Sequence, residues 1–387
     1  MEARSAADAR SRLGQVKRLV VKIGSSSLTR AGQGLDRRVL NRLVADIVQL
    51  KEAGHEVALV SSGAVAAGMG RLGLQRRPRR VADLQAAAAV GQNLLMHAYE
   101  SAFRRHGIPV GQVLLTAGDV LDDRRRYLNL ENTFRQLFRY GAVPLINEND
   151  SVGVAELKRQ IGENDMLAAY VANLVGAQLL ILLSDIDGLY TSYGADGPVG
   201  APLSLVCADA DLEGMAGRSR SKTGSGGMAT KLKAARLMTA CGEMALIAHA
   251  RRHRLADILA GAEVGTLFVP VGKRLKSRKR WIAFASPHRG GLVVDAGAEE
   301  ALVRGGKSLL PAGVVSCCGA FVAGEVVQVL NESGQVFARG LSRYAAAELE
   351  GLLGHNSSAL AAAGRPAEVI HRDDLVLADR DRLADPS

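Results

Sequence analysis

Through the first 270 or so residues, short apolar runs alternate with longer stretches in which apolar positions recur at helical spacing. This is the rhythm of βα units that feed a mainly parallel sheet. The runs at 19–23, 57–61, 110–115, 143–146, 179–183 and 244–248 predict strands. Several are apolar at every position, as expected where helices cover both faces of a sheet. Between them, 38–53 places Val39, Leu40, Leu43, Ile47 and Leu50 on one stripe, and 84–103 repeats the pattern, so both are predicted cover helices. After Pro270 the pattern changes. Lys273, Arg274, Lys276, Arg278, Lys279 and Arg280 form a basic run, and beyond it the strands shorten while turns recur at Gly290-Gly291, Gly305-Gly306, Pro311-Ala312-Gly313 and 331–334. That spacing predicts a mostly-β module of about 100 residues or less. The expected division is an N-terminal extension over 1–15, an α/β domain over 16–270 with helices on both faces of its sheet, a basic linker over 271–280 and a small β domain over 281–380.

The size agrees with two domains, since 387 residues exceed what a single hydrophobic core usually supports. At 48% hydrophobic and 23% charged residues the composition is ordinary for a globular protein. The longest apolar runs stop far short of the ~20 residues a bilayer crossing needs. The first fifteen residues mix Arg4, Arg10 and Arg12 with Glu2 and Asp8 and hold no apolar stretch, so they are expected to fray and do not form a secretory signal. Cys207, Cys241, Cys317 and Cys318 lack metal-site spacing, which fits reduced thiols and a cytoplasmic location. A formal charge of +10 favours anionic partners, nucleotide phosphates and nucleic acid alike.

Two motifs mislead. Gly68-Met69-Gly70-Arg71-Leu72-Gly73 has dinucleotide-site spacing, yet it neither follows a strand nor has an acidic residue about twenty positions on, and it is expected to be a helix end and turn. Gly306-Lys307-Ser308 lacks the glycine a phosphate loop needs at 301, where Ala301 stands.

Four strand ends carry more weight. In Val20-Val21-Lys22-Ile23-Gly24-Ser25-Ser26-Ser27 a lysine interrupts a buried run, and a glycine with three hydroxyls follows it. A lysine that snorkels to solvent from a strand edge accounts for the charge alone; the glycine and serines add capacity for phosphate oxygens. Leu59-Val60-Ser61-Ser62-Gly63-Ala64 leads a strand into a helix start, where backbone N–H groups attract anions. Capping by Ser61 or Ser62 explains it equally well. Leu145-Ile146-Asn147-Glu148-Asn149-Asp150 and then Glu163-Asn164-Asp165 bring amides and carboxylates suited to an amino acid's ammonium and carboxylate groups; Asn164 and Asp165 also suit an ordinary helix N-terminus. Finally, Leu183-Ser184-Asp185 ends a strand, and Ser225-Gly226-Gly227-Met228-Ala229-Thr230-Lys231 is a glycine-rich stretch opening a helix, able to cradle phosphates or to serve as a plain flexible loop.

Taken in order, these residues resemble the amino acid kinase family and, within it, the glutamate 5-kinase branch, through VVKIGSSSLT, ALVSSGAVAAG, PLINEND, ENDMLAA, LLSDIDGLY and SGGMATK. Lys279-Arg280-Trp281, Ser308-Leu309-Leu310-Pro311-Ala312-Gly313, Gly340-Leu341-Ser342-Arg343-Tyr344 and His371-Arg372-Asp373-Asp374 resemble the PUA domain that many of these kinases append. Two features depart from some relatives: Glu163 stands where they carry aspartate, and 158–162 lengthens the preceding loop. The resemblance implies the amino acid kinase fold, ATP and Mg²⁺ as cofactors, and phosphorylation of the γ-carboxylate of L-glutamate as the first step of proline biosynthesis. It assigns catalysis to Lys22, Lys231 and Asp165, and glutamate binding to Ser62, Asp150 and Asn164. ATP would be held by Lys22, Ser184, Asp185, Ser225, Gly226, Gly227, Met228, Ala229, Thr230 and Lys231. It further implies proline as a feedback inhibitor and a homodimer or homotetramer, with no membrane partner. The rival expectations are another carboxylate or carbamate kinase of the same fold, and an RNA-binding factor acting through the PUA-like module and the basic run.

Overall fold

The apolar runs of the first 270 residues become strands of one sheet. In chain order the strands of this region, those of two small ribbons included, are β1 (Arg18–Ile23), β2 (Thr29–Arg30), β3 (Gly34–Leu35), β4 (Glu56–Ser61), β5 (Val110–Leu115), β6 (Val143–Glu148), β7 (Leu179–Ser184), β8 (Ser192–Gly194), β9 (Gly197–Val199), β10 (Leu205–Cys207), β11 (Met244–His249) and β12 (Thr266–Val269). The computed structural model describes residues 6–30, 34–121, 124–153, 164–194, 197–207, 227–270, 274–275, 277–284, 290–353 and 364–377. Eight strands pair in the order β10-β12-β11-β7-β1-β4-β6-β5, while β2–β3 and β8–β9 form small ribbons. Every pairing in the large sheet is parallel except β11 with β12. The carboxyl ends of β11, β7, β1, β4, β6 and β5 therefore gather at one edge, with β1 between β7 and β4.

The alternation of side chains along β1 assigns its two faces. Leu19, Val21 and Ile23 join Leu40, Leu43 and Ile47 of the helix Arg37–Glu52 in one buried cluster. Val20 and Lys22 point to the opposite face, against which the helix Asn164–Val175 packs. Asp36 starts Arg37–Glu52 by accepting from the backbone N–H groups of Arg38 and Val39, a regular N-cap. The glycine motif at 68–73 is a helix end and turn as expected, and its first glycine is also a packing device. Gly68 lies in the helix Ala64–Arg71 and Gly91 in the helix Val81–Arg104, and a Cβ at Gly68 would sit 1.8 Å from the carbonyl oxygen of Ala87. One at Gly91 would sit 1.7 Å from that of Ala64, so the two backbones touch where only glycine fits.

Residues 6–15 differ from the expected frayed extension. Ala6–Ser11 is helical, and Ala9, Leu13 and Val16 join the core. Arg10 is 1% exposed; its guanidinium donates to the carbonyls of Ala262, Val264, Ser204 and Gly265 at 2.7–3.1 Å. A buried arginine that satisfies four carbonyls holds the segment down, a role that composition alone does not signal.

Contacts divide the chain into Met1–Val120 with Arg125–Arg274, and Leu121–Arg124 with Leu275–Ser387. In the second unit β13 (Gly290–Val294), β14 (Val314–Gly319), β15 (Val326–Leu330), β16 (Val336–Leu341) and β17 (Leu375–Leu377) pair in the order β14-β13-β15-β16-β17 around Leu292, Val327, Val329, Ala338 and Ile370. The later part of the expected basic linker belongs to this unit. Ser277–Phe284 is a helix with Ile282 and Ala283 buried, Arg278 pairs with Asp374, and Arg339 donates to the carbonyl of Ala283 at 3.1 Å. Part of the run's charge is thus committed to internal contacts.

Because the close helix crossing leaves no room for a methyl group, Gly68→Ala and Gly91→Ala are each expected to destabilise the protein by roughly 3 kcal/mol. Gly73→Ala, at φ +69° with open space around it, is expected to cost about 1 kcal/mol. Thermal or urea unfolding of the three variants checks the order; equal midpoints would show that the crossing is not tightly fixed.

Candidate active site

Lys22 lies next to last in β1 with only 5% of its surface exposed, between Val60 of β4 and Leu182 of β7. A cation so enclosed needs an anion. Asp165, the second residue of the helix Asn164–Val175 and fully buried, supplies it: one carboxylate oxygen forms an ion pair with Lys22 Nζ. The other accepts from Lys231 Nζ at 3.1 Å. Lys231, 6% exposed, is the fourth residue of the helix Met228–Ala240, whose first turn follows Gly227. The Thr230 hydroxyl lies 3.0 Å from the same oxygen and 2.9 Å from the carbonyl of Gly227, within reach of both. Two lysines and one aspartate that are far apart in sequence therefore meet at a single carboxylate. Burial alone would push the Asp165 carboxyl up, but the two ammonium groups and their hydrogen bonds hold it down at about 2, from 3.8.

Asn164, one residue earlier, faces a second cluster. Its side-chain NH₂ donates to Ser62 Oγ at 2.7 Å and to Asn147 Oδ1 at 2.9 Å, while Asn147 Nδ2 donates to Gln92 Oε1 at 2.7 Å. Ser62 follows the end of β4 and is tied to β1 by its N–H donating to the carbonyl of Ile23 at 3.1 Å. Gly63 at φ +114° then turns the chain into the helix Ala64–Arg71. Asn147 lies in β6, and Asp150 stands in the turn just beyond that strand, half-buried.

On the other side of β1, Ser184 ends β7, buried, and donates to Asp185 Oδ1 at 3.1 Å; Asp185 is exposed. Beside them β11 ends at His249, which burial holds below the usual imidazole value despite nearby Asp187. Ser225 and Gly226 lie outside the described residues, as do Glu163 and the loop 158–162; Gly227, Met228, Ala229, Thr230 and Lys231 are described at the start of their helix. The structure thus brings Lys22, Lys231, Asp165 and Thr230 into one cluster and Ser62 and Asn164 into an adjoining one. Ser184 and Asp185 share the carboxyl edge of the same sheet. Sequence reasoning did not single out Asn147 or Gln92. Asn147 carried a signal, as an amide at the end of an apolar strand, whereas Gln92 sits mid-helix 55 positions away and carried none.

Among the described residues no group of three or more His, Cys, Asp or Glu side chains converges to hold a metal ion, and no helix is long and apolar enough to cross a membrane. The geometry offers two fixed cations beside a row of amides and hydroxyls at a parallel sheet's carboxyl edge, the usual place for ligands in such folds.

Residues 17–248 match the Amino acid kinase family, and residues 290–362 match the PUA domain. A glutamate 5-kinase of Citrifermentans bemidjiense is 48% identical over 370 residues, covering 94% of this chain and 98% of the relative. One from Frankia casuarinae is 48% identical over 366 residues, covering 93% and 96%, and one from Salinispora arenicola 48% over 373 residues, covering 95% and 100%. With its kinase fold, its lysine-flanked Asp165 and near full-length identity of this order, the chain belongs to the amino acid kinase family, in its glutamate 5-kinase branch with an appended PUA domain.

Proposed function

We propose that the chain transfers the terminal phosphoryl group of ATP to the γ-carboxylate of L-glutamate, giving γ-glutamyl phosphate and ADP for the cytoplasmic route to proline. The observation that carries this reading is the adjacency of the two clusters: Asp165 joins Lys22 to Lys231, and its neighbour Asn164 joins Ser62 to Asn147. The nucleophile needs no general base, because a γ-carboxylate with a reference pKa of about 4.3 is ionised at neutral pH. The barrier lies instead in bringing two anions into line and in stabilising charge spread over the phosphoryl oxygens. Lys22 and Lys231 supply that stabilisation, and Asp165 fixes both while leaving one positive charge in excess. Ser62, Asn164 and Asp150 hold glutamate. Gly24, at the β1 turn, and the first turn of Met228–Ala240 approach the nucleotide phosphates, with Ser184 and Asp185 at the nucleotide side. With no carboxylate cage among the described residues, Mg²⁺ would enter on the ATP phosphates with waters completing its shell, and would supply further charge neutralisation.

Purified protein is expected to release ADP in a glutamate-dependent way and, with hydroxylamine, to give γ-glutamyl hydroxamate, with aspartate and N-acetylglutamate at least tenfold poorer. Equal turnover on either alternative acid would assign a different carboxylate kinase. Running the assay with and without proline tests feedback control. Lys231→Ala is expected to lower kcat by about 10²–10³-fold with small changes in KM. Asp150→Ala is expected to raise the KM for glutamate about tenfold or more with a smaller change in kcat. Steady-state kinetics showing the reverse partition would exchange these roles.

Asp165 also gives a pH signature. Its folded pKa lies below the unfolded value, so its contribution to stability is fully present above about pH 4 and is lost as pH falls through about 2. Asp165→Asn leaves two ammonium groups buried without their anion and is expected to cost about 3 kcal/mol or more near neutrality. The difference in Tm between the native protein and this variant should narrow as pH falls below 4.

A further inference from the structure

The helix Val81–Arg104 turns three polar side chains, spaced seven residues apart, toward the strand ends that form the proposed glutamate site. Gln85 Nε2 donates to the carbonyl of Gly153, just beyond the Asp150 turn, at 3.2 Å. Gln92 Oε1 accepts from Asn147, and the Tyr99 hydroxyl lies 2.9 Å from Ser61 Oγ. Residues i and i+7 fall on one helix face, and the face between them is filled by Ala88, Gly91, Leu95 and Ala98, all buried. Gln92 is thus set against the site by the packing of its own helix.

Its position gives it a specific task. The three amides form a directional chain: Asn164 donates to Asn147, and Asn147 donates to Gln92. Reversing any one of them alone sets two donors or two acceptors against each other; only reversing all three keeps every contact. In the observed sense, Asn164 Oδ1 is buried and has no hydrogen-bond partner among the described residues. A buried acceptor left unpaired points to a donor that arrives with the ligand. Reversal of the whole chain would present an NH₂ group there instead, which suits a carboxylate and repels an ammonium.

We propose that Gln92 is a positioning residue for substrate specificity: by accepting from Asn147 it fixes the sense of the amide chain, so that Asn164 Oδ1 faces the α-ammonium group of the amino acid. This rests on the glutamate-kinase reading and adds to it the group that tells an amino acid from a plain dicarboxylate. Glutarate, which is glutamate without the ammonium group, is therefore the informative probe.

The test compares Gln92→Met, which removes the acceptor, with Gln92→Glu, which can only accept and so preserves the chain's sense. For each full-length variant the KM for glutamate, the KM for ATP, kcat and the Ki of glutarate as a competitive inhibitor are measured. Gln92→Met is expected to raise the KM for glutamate about tenfold, with the Ki of glutarate, the KM for ATP and kcat all within about threefold of the native values. Gln92→Glu is expected to keep all four within about threefold. A Gln92→Met variant whose glutamate KM is unchanged, or whose glutarate Ki rises in step, overturns the proposal. So does a Gln92→Glu variant as impaired as Gln92→Met, since that places the donor on Gln92. A native protein with no glutamate turnover removes the underlying reading as well, whereas an active native protein with any of the overturning variant results removes the inference alone.

Discussion

The structure depends on one carboxylate held between two ammonium groups. Asp165 is wholly enclosed, and Lys22 and Lys231 are nearly so, so each charge is costly to bury and tolerable only in the presence of the others. Desolvation works against the ionised aspartate, yet the two lysines outweigh it and keep the carboxyl well below its ordinary value. The consequence is geometric as much as energetic. Three segments, the end of β1 and the starts of the helices Asn164–Val175 and Met228–Ala240, have to be placed together before all three charges are satisfied. A cluster of two cations and one anion also stays cationic, which is the sign that a transferred phosphoryl group requires.

Much of this was legible in the chain. The six predicted strands of the first domain are found with ends shifted by at most two residues, because a strand buried on both faces has to be apolar throughout and such runs stand out. Lys22 was legible for the opposite reason, as a charge inside such a run. Asp165 and Lys231 were marked by their places at helix starts. Their meeting with Lys22 was not written in local pattern, since it depends on which face of β1 each helix covers, and that is set by packing across separations of 66 residues and more. The N-terminal segment shows the limit most plainly. Its composition is that of a frayed tail, but Arg10 finds four carbonyls in the turns around 204 and 262–265, and no local signal announces such distant acceptors. The basic run after Pro270 shows the same limit: Arg278 falls in the expected linker, and nothing local announces Asp374, 96 residues away, which the fold brings to meet it. The glycines of 68–73 were legible as a helix end and turn, and Ala64–Arg71 does end there, but the use of Gly68 to let one backbone touch another depends on the later helix Val81–Arg104.

On the proposed reading, the arrangement of Asn164 beside Asp165 gives two anionic substrates neighbouring anchors on one helix start. Successive residues at a helix start project about 100° apart, so one of the pair addresses the amides and hydroxyls of β4 and β6 while the other addresses the lysines of β1 and the facing helix. The position of one substrate group relative to the other is then set by covalent backbone geometry, which is stiffer than any side-chain contact. Effective placement of reacting groups is worth many orders of magnitude in rate only if errors stay well below an ångström. On the proposed reading, the single peptide link between Asn164 and Asp165 would meet that demand. The same proposal gives a use to the amide chain beyond Asn164: a rigid backbone fixes where the side chain starts, but which of its two nearly identical ends would face a substrate has to be settled by hydrogen bonds further out, and Gln92 is where that chain ends.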